Sequence, residues 1–313
     1  MKLSPPTFGE VGECVAILVQ KEKEVDLAIA RSSEQYETYT LTDEAAQSQV
    51  VVVPERGGIV TSWSYQNKEI FYLDKERFKE PNLSVRGGIP ILFPICGNLP
   101  DNTYTYKGQQ YTLKQHGFAR VLPWSVTEQG TDGLPSLTVV LNSNDETRAV
   151  YPFDFQVAFT YLLQGDILDI QQRYTNHSPE PMPFSAGFHP YFLAKDKTQL
   201  QFDIPGSEYQ DRNGLMHPFS GTFDLEQEEI DVAFRQLQGF SASFTDTESK
   251  LQVTLSYSDI YSTMVFWAIK GKDFHCLEPW SAPRNALNTG EQLTQIPPGE
   301  TVEALFRLTV KNL

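Results

Sequence analysis

The chain has 313 residues, 40% of them hydrophobic and 12% aromatic, and its 40 acidic and 25 basic side chains leave a formal net charge of −15. That apolar and aromatic content excludes a disordered chain, and the acidic surplus excludes a phosphate-tracking surface, so no nucleic acid is expected as a partner. No uninterrupted apolar stretch approaches the roughly 18 residues that a membrane-crossing helix needs, so no membrane partner is expected.

Read from the start, Met1-Lys2-Leu3-Ser4-Pro5-Pro6 lacks the apolar centre of a secretory signal. Cys14–Val19 is a strand candidate, followed by Val50–Val53 and Ile59–Tyr65. Arg56-Gly57-Gly58-Ile59 recurs as Arg86-Gly87-Gly88-Ile89. Paired glycines of this kind mark backbone crowding or positive φ at a sheet corner, and neither copy has a phosphate-loop pattern. Asp74–Lys79 predicts a short helix. Tyr104-Thr105-Tyr106, turning at Lys107-Gly108 and returning through Gln109-Gln110-Tyr111, predicts a small hairpin, and Leu137–Leu141 a strand.

Phe153, Phe155, Val157, Phe159, Tyr161 and Leu163 alternate with Asp154, Gln156, Ala158, Thr160 and Leu162. On a strand this builds an aromatic wall on one side. Gly165-Asp166 then turns the chain into Ile167–Ile170 as a hairpin. Glu226–Phe234 predicts a second short helix. Leu251–Tyr257 and Thr263–Ile269 read as strands, and Val302, Ala304, Phe306, Leu308 and Val310 repeat the alternation. Dividing the length by about 150 residues gives two domains, but the Pro-rich patches at Ser178–Pro183 and Pro297–Pro298 are only loop-sized. The expectation is a single all-β domain over residues 1–313, a large antiparallel sandwich with few short helices.

The cysteines, Cys14, Cys96 and Cys276, are odd in number and contain no CxxC pair, which fits reduced thiols in a cytoplasm and no disulfide framework. Asn82-Leu83-Ser84 and Asn176-His177-Ser178 match the glycosylation pattern only by accident on that reading. Of the five histidines, His177 and His217 sit in polar, turn-rich surroundings. His116 and His189 stand out because each adjoins a backbone-shaping residue, Gly117 or Pro190, and aromatic neighbours. Glu278 ends an apolar strand, between Leu277 and the Pro279-Trp280 pair, where partial desolvation would raise its pKa toward that of a useful base. A metal site built from His275, Cys276 and Glu278 is not expected, because residues 275 and 276 point to opposite faces of a strand.

Four segments taken in order resemble the aldose 1-epimerase (galactose mutarotase-like) family: Val85-Arg86-Gly87-Gly88-Ile89-Pro90-Ile91-Leu92-Phe93-Pro94, His116-Gly117-Phe118-Ala119-Arg120, Phe188-His189-Pro190-Tyr191-Phe192 and Glu278-Pro279-Trp280. The resemblance runs from about residue 49 to 310. It implies a β-supersandwich that binds a hexose in an open cleft and interconverts its α and β anomers without metal or organic cofactor; a monomer or homodimer is expected, with the choice between them left open by the sequence. It also implies His189 as general acid, Glu278 as general base and His116 as a second cleft histidine near the ring oxygen. Arg86 and Arg120 match arginines of the motifs, with Arg86 the better placed to reach a hydroxyl or phosphate. Phe188, Tyr191, Trp267 and Trp280 are candidates for flat apolar faces against the sugar.

Those residue types suit the reaction, since ring opening needs one group to take the C1 hydroxyl proton and another to protonate the ring oxygen. The chain departs from the family pattern at Asn98, where relatives that act on free sugars often carry Arg. Arg56 and Lys114 are the candidates for a further basic group toward a 6-phosphate. A non-catalytic sugar-binding protein is the reading from another class; a glycoside hydrolase is disfavoured because a Glu is paired with a His instead of a second carboxylate.

Overall fold

The computed structural model describes residues 27–313 except Asp132, so the strand expected at Cys14–Val19 lies outside the described residues. The long alternation forms the strand Phe155–Gln164, whose Phe155, Val157, Phe159, Tyr161 and Leu163 are buried while the residues between them are partly exposed. Gly165 adopts φ 60° and, with Asp166, turns the chain into Ile167–Asn176, which pairs with the first strand along its whole length. This hairpin sits within an eight-stranded antiparallel sheet ordered Leu200–Asp203, Ser241–Asp246, Leu251–Tyr257, Thr301–Asn312, Ile167–Asn176, Phe155–Gln164, Ser136–Asn142 and Ser125–Gly130.

A second eight-stranded sheet carries the residues of interest. Its path runs Met216–Pro218, Glu208–Gln210, Glu229–Phe234, Thr263–Ile269, Phe274–Trp280, Gly187–Phe188 and Ile91–Leu92, with Tyr191–Leu193 also pairing to Phe274–Trp280. A five-stranded meander from Leu27 to Glu69 precedes them. The core is unusually rich in rings: Phe93 lies 5.2 Å from Phe155 and 5.9 Å from Tyr174, and Phe188 stacks at 4.7 Å on Phe306. Each such pair adds about 0.5–1.5 kcal/mol beyond the area it buries. Phe188 is therefore a core residue, fully buried between Phe159, Tyr261 and Phe306, and not a flat face for a ligand as the motif alone implied.

The helix expected at Asp74–Lys79 forms over Lys75–Lys79, with Asp74 capping it by accepting from the Arg77 amide at 3.0 Å. The one expected at Glu226–Phe234 is instead the strand Glu229–Phe234, paired with Thr263–Ile269. Its acidic flank disguised a period of two, with Ile230, Val232 and Phe234 buried and Asp231 and Ala233 on the other side. Two short helices, Asp145–Val150 and Ala286–Thr289, lack any apolar stripe by which the sequence could announce them.

The two Arg-Gly-Gly-Ile copies both mark crowding. A Cβ on Gly57 would stand 2.4 Å from the Arg120 carbonyl oxygen, and one on Gly88 would stand 2.0 Å from that of Val60. Their arginines are used differently. Arg56 is buried and donates to the carbonyls of Glu80, Pro81 and Leu83, which removes it as a ligand-binding cation. Arg86 is exposed. Asn176 is fully buried, its amide donating to the carbonyls of Glu180 and Ile296, so it holds a turn and is inaccessible to glycosylation. No helix among the described residues is long and apolar enough to cross a membrane.

Candidate active site

The strand Phe274–Trp280 is buried along its whole length. Period-two alternation sends His275 and Leu277 to the core side and Cys276, Glu278 and Trp280 to the other. Two segments pair with this strand from the same side: Gly187 opposite Trp280, and Tyr191 opposite Cys276. His189 lies midway between them in the same register and so stands across from Glu278. Pro190 has no N–H to give to a ladder, so the pairing breaks there. The His189 amide instead donates to the Pro90 carbonyl at 3.0 Å, and that of Tyr191 to Gly88 at 2.9 Å. The Arg86–Pro90 and His189–Tyr191 motifs are thereby fastened to each other.

On the opposite flank, Val265 pairs with Glu278 and Ala233 with Val265, while Trp267 pairs with Cys276 and Asp231 with Trp267. Directly paired residues share a face. The outcome is a face on which His189, Glu278 and Val265 lie side by side, walled by Trp267, Tyr191 and Trp280. It encloses a cleft of about 270 Å³, next to a larger cavity of about 720 Å³ that shares Gln115, Arg212, Asp231, Trp280 and Arg284 with it.

His189 Nε2 lies 3.4 Å from Glu278 Oε1, and Trp280 Nε1 donates to Glu278 Oε2 at 3.1 Å. The His189 ring stacks on Tyr191 at 4.7 Å and meets Trp267 edge-on at 5.5 Å. His116 stands 5.6 Å from His189, ring to ring, and 5.6 Å from Trp280. It holds φ 65°, a left-handed conformation that costs a non-glycine residue on the order of 1–3 kcal/mol. Two bonds to one residue hold it there: the His116 amide donates to the Gly97 carbonyl at 2.7 Å, and the Gly97 amide donates to His116 Nδ1 at 3.0 Å. Because Nδ1 accepts, the proton of neutral His116 resides on Nε2, which makes His116 a donor on that side.

Burial drives both partners of the central pair toward their neutral forms. It is the main cause holding His189 at about 3, with the Arg120 charge adding to it. It also raises the Glu278 carboxyl well above its ordinary value, helped by the Asp231 charge and opposed by Arg284, Arg120 and the Trp280 hydrogen bond. The atoms nevertheless sit at ion-pair distance. A proton between them therefore belongs to the pair and not to either residue. Burial, Arg120 and His189 hold His116 well below the ordinary imidazole value.

Of the residues singled out from the sequence, His116, His189, Glu278, Trp280, Tyr191, Trp267, Arg86 and Arg120 all line this one cleft. Arg120 donates to the Gln115 carbonyl at 3.0 Å. Phe188 does not line it, Lys114 is exposed outside it, and Asn98 lines the adjoining cavity. The sequence reading missed Arg212, Asp231 and Arg284. Asp231 accepts from Arg284 Nη2 at 2.6 Å and from Arg212 Nε at 2.9 Å, while Arg212 Nη2 reaches Glu229 at 2.8 Å. Arg284 also covers the Trp280 ring at 5.3 Å. A strand reading of Glu229–Phe234 would have exposed Asp231 as a cleft residue. Arg284 follows closely on the Glu278-Pro279-Trp280 motif, whereas Arg212 comes from the hairpin turn Asp211–Gly214, where Asn213-Gly214 signals a turn but not a side chain aimed at the cleft.

Comparison with known proteins shows what the chain as a whole is similar to. A Synechocystis protein of known structure, Slr1438, is 45% identical with a TM-score of 0.87, covering 91% of this chain and 100% of its own. A galactose mutarotase-like protein from Clostridium acetobutylicum shares the fold at 20% identity and a TM-score of 0.78, covering 92% of this chain and 99% of its own. The plasmid-encoded LacX protein of Lactococcus lactis is 25% identical over 261 residues, which is 72% of this chain and 86% of that protein. A Cenchrus ciliaris protein whose name carries a provisional assignment as a glucose-6-phosphate 1-epimerase is 29% identical over 166 residues, 50% of this chain and 46% of that one. The family model described as aldose 1-epimerase matches residues 37–309, most of the sequence, and the chain belongs to that family.

Proposed function

We propose that the protein is an aldose 1-epimerase that interconverts the α and β anomers of an aldohexose. The acting form of the pair on the ring sugar is imidazolium and carboxylate, the arrangement of the shared proton that burial disfavours. Glu278 takes the proton from the C1 hydroxyl, the C1–O bond to the ring oxygen breaks, and His189 delivers its proton to that oxygen. The product is the open aldehyde beside a neutral carboxyl and a neutral imidazole. After rotation about C1–C2 the same two protons return, Glu278 to the new C1 hydroxyl oxygen and His189 taking back the other, and the ring closes on the opposite face.

Burial favours the neutral pair, and so favours the side of this cycle that holds the aldehyde. His116 donates from Nε2 to a sugar oxygen, and Trp267, Tyr191 and Trp280 offer ring faces to its C–H surface. The observation that carries the reading is the 3.4 Å approach of His189 Nε2 to Glu278 Oε1 at the floor of the cleft, a spacing suited to two oxygens on one carbon. Polarimetry on freshly dissolved α-glucose or α-galactose tests it. The protein accelerates the decay of rotation, and Glu278→Gln and His189→Asn each lose most of that acceleration. Sugar binding by calorimetry with no acceleration would instead make the protein a sugar binder.

A second reading, a hexose 6-phosphate as substrate, is favoured by Arg86. It lines the cleft, is exposed and forms no ion pair among the described residues, whereas Arg212 and Arg284 are both engaged by carboxylates. If a phosphate contacts it, Arg86→Ala lowers the rate on glucose 6-phosphate roughly 10- to 100-fold while leaving that on glucose nearly unchanged. Equal losses on both sugars rule this reading out.

A further inference from the structure

Strand alternation removes His275 from any ligand set with Cys276 and Glu278, but it also puts Cys276 and Glu278 on one face of the strand. The register then brings in His189, across from Glu278 and diagonal to Cys276. A ring nitrogen of His189, Sγ of Cys276 and a carboxylate oxygen of Glu278 all lie within 4.8 Å of one another, and the His189–Glu278 separation is 3.4 Å. Ligands held 2.0–2.3 Å from a tetrahedral zinc ion stand roughly 3.3–3.8 Å apart, so Cys276 Sγ, within 4.8 Å of the other two atoms, must close by at most about 1.5 Å to complete three corners. His189 and Glu278 line the cleft, while Cys276 is fully buried and outside its lining. One sulfur, one imidazole and one carboxylate form a donor set for a zinc-class ion, whereas magnesium and calcium take oxygen. His189 Nδ1 is buried without a hydrogen-bond partner among the described residues, and the ring is positioned by packing on Tyr191 at 4.7 Å and Trp267 at 5.5 Å.

We propose that His189, Cys276 and Glu278 form an inhibitory site for a zinc-class divalent cation. On binding, the thiol proton and the proton shared by His189 and Glu278 leave to solvent, and the metal occupies the three lone pairs. No oxidation state changes. The consequence for activity rests on the epimerase reading above, because the same two groups then have no proton to give or site to accept one; the ligation itself does not depend on that reading.

The test uses metal-free full-length protein with Co²⁺ and Zn²⁺ as probes. Co²⁺ gives a thiolate-to-cobalt absorption band in the near ultraviolet with the unaltered protein and with Cys14→Ser, and gives none with Cys276→Ser or Cys276→Ala. Zn²⁺ abolishes anomerisation at about one equivalent, Mg²⁺ does not, and EDTA restores the rate. Cys276→Ser requires at least about 10- to 100-fold more Zn²⁺ for the same inhibition, the loss typical of weakening a metal site. Absence of the cobalt band from the unaltered protein overturns the proposal, as does its persistence in both Cys276 variants or unchanged zinc sensitivity of Cys276→Ser. If metal-free protein shows no anomerisation at all, the epimerase reading fails while the cobalt band still decides the site.

Discussion

Glu278 and His275 lie on the same strand, both almost wholly buried and both held away from their charged forms by burial, yet they point to opposite sides of the sheet. On the cleft side, Glu278 meets His189, the Trp280 indole and the charges of Asp231 and Arg284. On the core side, His275 is ringed by Phe192, Phe202, Phe244 and Phe266, and neither of its ring nitrogens has a hydrogen-bond partner among the described residues. The first group has somewhere to send a proton and the second has not. Burial shifts the titration of each; what distinguishes a site is a converging partner and an adjoining cavity.

The strongest way to break this contrast is to measure rates. Glu278→Gln keeps the shape and an oxygen for the Trp280 N–H but cannot take a proton, so it slows anomerisation by about 10²–10⁴-fold, the range for a general base. His275→Phe fits an aromatic surround and leaves the rate within about twofold. A large loss in the second variant, or none in the first, would mean that the two faces are not functionally distinct.

Particular strands show what can be read from the sequence. Phe155–Gln164 announces itself because every second residue is large and apolar, and one face of it does nothing but fill the core. Glu278 stands out for a similar reason, being a carboxylate closing an apolar run. Phe188 misleads because a motif gives neighbours but not faces: one step along the strand separates the core residue Phe188 from the cleft residue His189. Asp231 stayed hidden because the acids Glu226, Glu228 and Glu229 lead into its strand and make the segment mimic a solvated helix. Its value depends on pairing with Trp267, which no local pattern records. Arg212 and Arg284 are likewise brought together only by Asp231, a tertiary fact.

Acid stability sharpens the comparison next. His116, His189 and His275 are all held below the ordinary imidazole value, the last two at about 3. The unfolded chain takes up these protons as pH falls through about 6.5, and the folded chain does not until lower pH, so folding stability declines over that window. Glu278 acts with the opposite sign. Its folded carboxyl keeps a proton that the unfolded chain gives up above about 4.5, so its penalty shrinks as pH falls. Three imidazoles against one carboxyl leave about two protons, or a decline approaching roughly 2.7 kcal/mol per pH unit between 6 and 4.5. Urea midpoints across that range measure it; a flat profile would mean that the imidazoles are not held neutral.

His275→Phe then isolates the core-side member. It removes a buried polar ring with two unsatisfied nitrogens, and so stabilises the fold at neutral pH by about 1 kcal/mol, less any strain from the added volume. It also takes one proton out of the acid dependence, making the urea profile shallower by about 1.4 kcal/mol per pH unit. The slope discriminates better than the midpoint, because a packing change shifts stability equally at every pH whereas a lost imidazole changes only the gradient. An unchanged gradient would mean that His275 is protonated within the core, and the contrast between the two faces of the strand would then rest on position alone.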